Sequence, residues 1–215
     1  MNPYQDNVER FNALASQWDQ DAGHVRMAQK VARAIVQALQ PQGQEEALEF
    51  GAGTGLATLI VAPKVGRLTA LDGSAGMLDV LRGKCARKGL DNVHAVEGDV
   101  VDAPLAQYDL IYSALTLHHV QDVPALLAKL AAHLNPGGRI ALADLDSEDG
   151  SFHGDGVQGV AHLGFARDRF GAWLQEAGLV DVSFSTAWTV ERPLESGGTA
   201  RYPIFLAVAR KPGGA

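Results

Sequence analysis

Three glycines at every second position, Gly51, Gly53 and Gly55, follow a short apolar run through Ala47, Leu48 and Phe50. Glycine has no Cβ, so the chain can turn tightly there and a ligand can approach the backbone amides. The apolar run from Leu56 to Ala62 predicts a helix. Its N-terminus would offer unpaired N–H groups and a partial positive charge. Strand, glycine turn and helix together present bare backbone to a ligand. The spacing is G-x-G-x-G, whereas the dinucleotide fingerprint is G-x-G-x-x-G. Glu49 stands two residues before the first glycine.

Other polar residues fall where strands should end. Asp72 comes 21 residues after Gly51 and is placed to accept two hydrogen bonds from ribose hydroxyls. The alternative is an acid favoured by the dipole of the next helix. Asp99 follows Gly98, either as an acceptor for an adenine amino group or as a turn former. Ser113 closes a fourth apolar run, with His118 and His119 just beyond, and Asp144 and Asp146 end a fifth. In an open parallel sheet, ligands bind beyond the carboxyl ends of the strands, where the strand order reverses. These residues should therefore share one crevice.

The elements that position them alternate. Residues 1–44 read as a helical lead-in, with Phe11, Leu14, Ala15 and Trp18 at helical spacing. A second stripe there runs from Met27 through Val31, Ala34, Ile35 and Ala38 to Leu39. Pro41 and Gly43 close it. Strands are expected at 46–50, 67–71, 93–96, 108–113 and 139–145. Helices fall between them, one capped by Ser74 and stopped by Gly89, another after Asp122. Alternation of this kind predicts a parallel sheet with helices on both faces. A helix carrying Phe170, Trp173, Leu174 and Ala177 comes next. Two strands, 180–185 and 203–209, should then pair as an antiparallel hairpin at one edge, joined by a loop from Glu191 to Arg201. The tail from Lys211 to Ala215 is expected to fray.

Several stretches carry a family resemblance. Leu48 to Gly55 resembles motif I of the class I S-adenosylmethionine (SAM)-dependent methyltransferases. Leu71-Asp72-Gly73-Ser74-Ala75-Gly76-Met77-Leu78 looks like their D-x-S-x-x-M-L motif, and Glu97-Gly98-Asp99 their G-D motif. Tyr108 to Ser113 with Leu117-His118-His119-Val120 resembles the strand-four motif. Asn135-Pro136-Gly137-Gly138 resembles the turn before strand five. The five together span residues 48–146. The resemblance implies a Rossmann-like, doubly wound, seven-stranded and mostly parallel sheet whose last strand is antiparallel. It implies a methyltransferase domain over 45–211, with the lead-in as a lid of the same domain. The glycine loop with Ala52 would carry the methionine part of SAM. Asp72 and Gly73 would hold the ribose, Met77 would pack near the adenine, and Asp99 with Val100 would read it. Ser113 and Ala114 would face the transferring methyl. Trp18-Asp19 is similar to a W-D element that lids the cofactor in relatives, although Trp18 is equally suited to a core anchor.

Transfer from SAM needs the acceptor aligned with methyl and sulfur. A base is required only where the nucleophile must lose a proton. His118, His119 and Asp144 are the expected candidates. Glu148, Asp149, His153 and His162 in the following polar loop are further ones. The histidines are also read as packing or helix-start residues, and the loop acids as solvated surface. The spacing matches no compact metal-ligand motif, so no metal is expected. Ala166 stands where a capping side chain would be expected.

The 215 residues include 18 Lys and Arg against 25 Asp and Glu, a formal net charge of −7. That balance argues against general nucleic-acid binding. Lys84, Arg87 and Lys88 read as a solvated helix face. The single cysteine, Cys85, permits no internal disulfide and suits a reducing compartment. The polar start and the absence of a membrane-length apolar run predict a cytoplasmic protein with no membrane contact. Apolar side chains in the lead-in and late loops, such as Phe11 and Phe152, suggest a small, partly apolar acceptor. The rival readings are an NAD-dependent oxidoreductase, disfavoured by the glycine spacing and the long lead-in, and a non-catalytic SAM-binding module.

Overall fold

The structure, a computed structural model, describes residues 3–153, 159–193 and 198–214. Five strands, β1 (Glu46–Phe50), β2 (Arg67–Asp72), β3 (Val93–Glu97), β4 (Tyr108–Ala114) and β5 (Leu134–Leu145), pair in parallel. The last two, β6 (Val180–Pro193) and β7 (Thr199–Arg210), form an antiparallel pair, and β7 also runs antiparallel to β5. The order β3-β2-β1-β4-β5-β7-β6 reverses direction between β1 and β4. This is the seven-stranded α/β sheet expected from the alternating pattern.

Side-chain alternation along the strands assigns the helices to faces. Leu48, Phe50, Ile111, Ile140 and Leu142 pack with Leu126, Leu127 and Leu130 of α5 (Val123–Ala132) and Phe170 and Leu174 of α6 (Arg167–Glu176). Their neighbours Ala47, Leu110, Tyr112, Ala141 and Ala143 point the other way. They meet Val31, Ile35 and Leu39 of α2 (Ala22–Leu39) and Val61 of α3 (Thr58–Val61). On that side α4 (Ala75–Lys88) adds Leu78, Leu81 and Cys85 against Ala70 of β2. Burial on both faces explains why β4 reads as a continuous apolar run.

The lead-in is two helices, α1 (Pro3–Leu14) and α2, separated by a single 3-10 turn at Trp18–Gln20. Asp21 forces the break because its carboxylate caps α2, accepting from the amides of Gly23 and His24 at 2.7 and 3.1 Å. Ser74 caps α4 through the Met77 amide, as expected, and Asp122 caps α5 through that of Ala125.

Four local expectations need correction. The helix after the glycine loop begins at Thr58, not Leu56, because Gly53 and Gly55 hold left-handed φ values of +53° and +83°, which no α-helix accommodates. β5 begins at Leu134, taking the Asn135–Gly138 turn into the strand as a register shift opposite Tyr108–Leu110. The stretch read as a loop from Glu191 is strand as far as Pro193 and again from Thr199; 194–197 lie outside the described residues. Lys211 is not frayed: its amide bonds to Gly138 and its ammonium to the carbonyls of Ala132 and Leu134. Ala166 indeed caps nothing, and the start of α6 is held instead by Arg167 gripping Asp146 at 2.7 Å through two nitrogens. No helix among the described residues is long and apolar enough to cross a membrane.

Candidate active site

A cavity of about 1750 Å³ opens at the carboxyl ends of β1, β2 and β4, roofed by α1, the 3-10 turn and the start of α2. Pockets for one small ligand usually hold ~300–1,000 Å³, so this one has room for two. Its floor at one end is the glycine loop. Gly51 has φ +67°, and a Cβ there would lie 2.0 Å from Thr116 Oγ1. Gly53 is different: a Cβ would meet no protein atom within 4 Å, so the backbone is bare toward the cavity. Its amide donates to Asp72 Oδ2 at 2.7 Å, while Ser74 N donates to Asp72 Oδ1 at 2.8 Å. The carboxylate thus ties the glycine loop to the start of α4, and each oxygen keeps a free lone pair. Burial raises the Asp72 pKa, against these two bonds.

Beneath the loop Glu49 is buried, accepting from Thr58 Oγ1 at 2.5 Å and from Tyr112 Oη at 2.9 Å. Burial pushes its pKa up to about 7 despite both donors. Asp99 accepts from Val101 N at 2.9 Å, and burial raises its pKa too. Met77, Gly73, Ala52 and Val100 complete this end. The roof is latched to it. Asn12 Oδ1 accepts from Ser74 Oγ at 2.7 Å and Gly76 N at 2.9 Å. Asp19 accepts from Thr54 Oγ1 at 2.6 Å and pairs with Lys84. Lys84, expected on a solvated face, is instead largely covered and holds the lid. Trp18 lines the cavity half-buried, stacked on His24 with centroids 4.4 Å apart.

At the other end Ala114 leads into Leu115, a non-glycine residue held at φ +58°. Such strain persists only where the surroundings enforce it and tends to mark functional sites. His118 and His119 follow. His118 is 2% exposed, and its Nδ1 lies 2.8 Å from Asp144 Oδ1. Asp144, fully buried behind it, also accepts from the amides of His118 and Leu145. Against its burial, the neighbouring His118 and these bonds hold the Asp144 pKa below the usual carboxylate range. His119 Nδ1 lies 2.7 Å from the carbonyl of Gly159, so its Nδ1–H donates and Nε2 keeps the lone pair. His153 brings its ring 4.9 Å from that of His118 and 6.1 Å from that of His119. Burial first, and then the neighbouring His118, lowers both His119 and His153 to about 4.

Ten of the twelve residues expected around a cofactor line the cavity: Gly51, Ala52, Gly53, Asp72, Gly73, Met77, Asp99, Val100, Ala114 and Trp18. Gly55 and Ser113 do not. Gly55 gives room to Leu81, whose Cδ1 would be 2.1 Å from a Cβ, and Ser113 spends its hydroxyl on the Phe50 carbonyl at 2.7 Å. Of the loop candidates only His153 reaches the cavity. Glu148 and Asp149 bond to their own loop, and His162 lies against the Val120 carbonyl. Asn7 and the arginines at positions 10 and 192 also line the cavity, without any motif to announce them. Among the described residues no three His, Cys, Asp or Glu side chains are grouped to hold a metal ion.

A sheet of this order with a ligand cavity at its topological switch point defines a Rossmann-like nucleotide-type binding fold. Residues 47–138 match the family described as a methyltransferase domain, and the chain is similar to the class I SAM-dependent methyltransferases. It is 33% identical over 151 residues to a malonyl-[acyl-carrier protein] O-methyltransferase of Serratia marcescens, covering 67% of this chain and 57% of that protein. It is 32% identical over 140 residues to a trans-aconitate 2-methyltransferase of Deinococcus radiodurans, covering 63% of this chain and 52% of that one. The chain thus spans little more than half the length of these relatives. The fold superposes on that of DhpI in its complex with SAH at a TM-score of 0.71 and 24% identity, covering 97% of this chain and 96% of the other.

SAM is the cofactor of this family, and the cavity suits it. Gly53 leaves an uncovered stretch of backbone, and the carboxyl groups of Glu49, Asp72 and Asp99 line the cavity, a setting that would suit a sulfonium cation.

Proposed function

We propose that this protein transfers a methyl group from SAM to a small, partly apolar acceptor. The observation that carries the reading is one continuous cavity whose two ends differ in chemistry. Carboxyl groups and bare glycine backbone line one end; histidines and aromatic rings line the other. SAM supplies an already activated methyl, so the protein's part is to align the two reactants and exclude water. Gly51, Gly53, Asp72 and Asp99 would hold the cofactor, with α1 and the 3-10 turn closing over it. Leu115 and Thr116 mark where the two ends meet.

At the acceptor end Asp144 accepts from His118 Nδ1–H and orients the ring, which leaves His118 Nε2 to take a proton from the acceptor's nucleophile. His119, kept neutral by burial, offers its Nε2 as a second acceptor beside it. The relatives named above modify different acceptors, and the small-acceptor reading rests on the enclosure of this cavity under α1. Calorimetry with SAM, SAH and NADH, followed by a methylation screen over small acids, phenols and amines, tests it. Binding of both adenosyl ligands and turnover of a small acceptor support it. NADH binding alone, or turnover only of protein or RNA, overturns it.

A further inference from the structure

The acceptor end of the cavity carries a charge pattern opposite to that of the chain as a whole. The net charge of the protein is −7, and its cofactor end is acidic. Yet Arg10 from α1 and Arg192 from β6 line the same cavity as His153, and both contribute positive potential at its ring. Neither guanidinium lies within ion-pair distance of a carboxylate among the described residues. Asp21 caps α2, and Glu191, beside Arg192, pairs with Arg201 at 3.4 Å.

Both arginines are seated on aromatic faces. The Arg192 guanidinium lies 4.6 Å from the Phe152 ring centroid and 5.7 Å from that of Tyr202, and it donates to the Phe152 carbonyl. Arg10 stands 5.8 Å from the Phe11 centroid. Stacking covers a guanidinium face and leaves N–H groups at its edge available, in Arg192 those not given to the Phe152 carbonyl. That edge is the part which matches an oxyanion through two parallel hydrogen bonds. In the same cavity wall His153 Nε2 is buried with no hydrogen-bond partner among the described residues, a polar atom that a ligand could satisfy. His119 and His153 stay neutral near neutral pH, which leaves the positive charge here to the arginines.

We infer that this end of the cavity binds an oxyanionic group of the acceptor, a carboxylate or a phosphate, between Arg10 and Arg192 with His153 Nε2 as a third contact. The inference rests on the methyltransferase reading and narrows its acceptor to an organic anion with an apolar body. The body would lie against Phe11 and Phe152, and the anionic group serves as a handle whether or not it is the group methylated.

The test uses three probes with one apolar body: 2-naphthoate, 2-naphthyl phosphate and 2-naphthamide. Each is titrated by calorimetry into the full chain saturated with SAH, with Arg10→Gln and Arg192→Gln alongside. One or both anions should bind about tenfold or more tightly than the neutral amide, the worth of a charge-assisted hydrogen bond. Either substitution should remove most of that preference while leaving SAH affinity and thermal unfolding unchanged. Which anion binds better tells carboxylate from phosphate. Equal binding of amide and anions, no binding of either anion at millimolar concentration, or unchanged anion affinity in both variants overturns the inference. Failure of SAH itself to bind overturns the methyltransferase reading instead, so the two failures are distinct.

Discussion

His118 Nδ1 and Asp144 Oδ1 lie 2.8 Å apart at the end of two neighbouring parallel strands, and both side chains are withdrawn from solvent. β4 delivers the histidine from the residues just past its end and β5 delivers the aspartate from its last turn inside the sheet. If this pair moves the acceptor's proton, His118→Gln should lower kcat by about 10²-fold or more. Asp144→Asn should cause a similar fall, because an amide cannot stabilise the imidazolium. Calorimetry with SAH should show unchanged affinity in both variants. An unaltered kcat in His118→Gln would assign the pair to structure alone.

The same pair sets a pH limit on stability. The folded-state pKa of Asp144 is depressed, so the stability it contributes is present above the ordinary carboxylate range and is lost as pH falls through the depressed value. Asp144→Ala strands the His118 imidazole and two backbone amides and should cost about 3–5 kcal/mol, as breaking a buried pair does. Urea unfolding of wild type and variant from neutral to acid pH should show the gap narrowing below about pH 4.

Glu49 acts with the opposite sign. Its folded pKa, about 7, lies above the unfolded value near 4.5, so the folded state holds a proton that the unfolded state has lost between those limits. Stability should therefore fall as pH rises from about 4.5 to 7, by ~3 kcal/mol. Glu49→Gln keeps the shape and an acceptor for Thr58 and Tyr112. Its urea midpoint should be flatter than wild type across this window. A wild-type profile already flat there would refute the assignment.

Asp72 bridges the glycine loop and the start of α4 through two amides. Asp72→Ala should weaken SAM and SAH by ~1–3 kcal/mol, the worth of hydrogen bonds to a charged group, read by calorimetry. Gly51→Ala meets a left-handed φ and the Thr116 side chain together. Backbone strain of this kind costs about 1–3 kcal/mol, and the collision adds to it. In a chain of this size thermal unfolding should drop by several degrees, at about 2–4 °C per kcal/mol. Pairing it with Thr116→Gly should recover part of the loss.

The two latches of the lid can be separated. Asn12→Ala removes the acceptor shared by Ser74 and Gly76 without touching the histidines. SAH should dissociate faster from that variant in stopped-flow measurements, with little change in association. Asn7→Ala instead removes the side-chain donor to the Gly159 carbonyl, the same oxygen that His119 Nδ1 meets, so its effect should fall on the acceptor's KM.

Local rules reach the sheet because its central strands are buried and turn or capping residues punctuate the chain between them. The Asp72, Asp99 and His118 positions follow from the rule that strand ends converge. Asp144 is brought to His118 across 26 positions of sequence by strand pairing alone. Ser113 shows where the rule stops. It ends the right strand, but alternation turns its side chain back to the Phe50 carbonyl. Nothing local could place Arg10, Asn7 or Arg192. Their location depends on how far α1 swings across the sheet and how long the β6–β7 pair runs, and both are set by tertiary packing. The full length of the hairpin is hidden in the sequence because polar and half-exposed residues dominate the outer part of β6, an edge strand.

β7 leaves β5 at Ile204, opposite Leu145, yet its pairing with β6 continues to Thr199 opposite Pro193. The two strands therefore run on past β5 as a two-stranded ribbon packed against Phe152, and Arg192 on it, with Trp188 at its base, lines one wall of the cavity. That wall and the roof from α1 both fall outside residues 47–138, the segment matched as a methyltransferase domain. Mutational drift in the ribbon or the roof can retool which molecule is modified while the engine that holds the methyl donor stays untouched. A chimera that grafts a relative's ribbon and roof onto this sheet should exchange its clientele and keep its fuel.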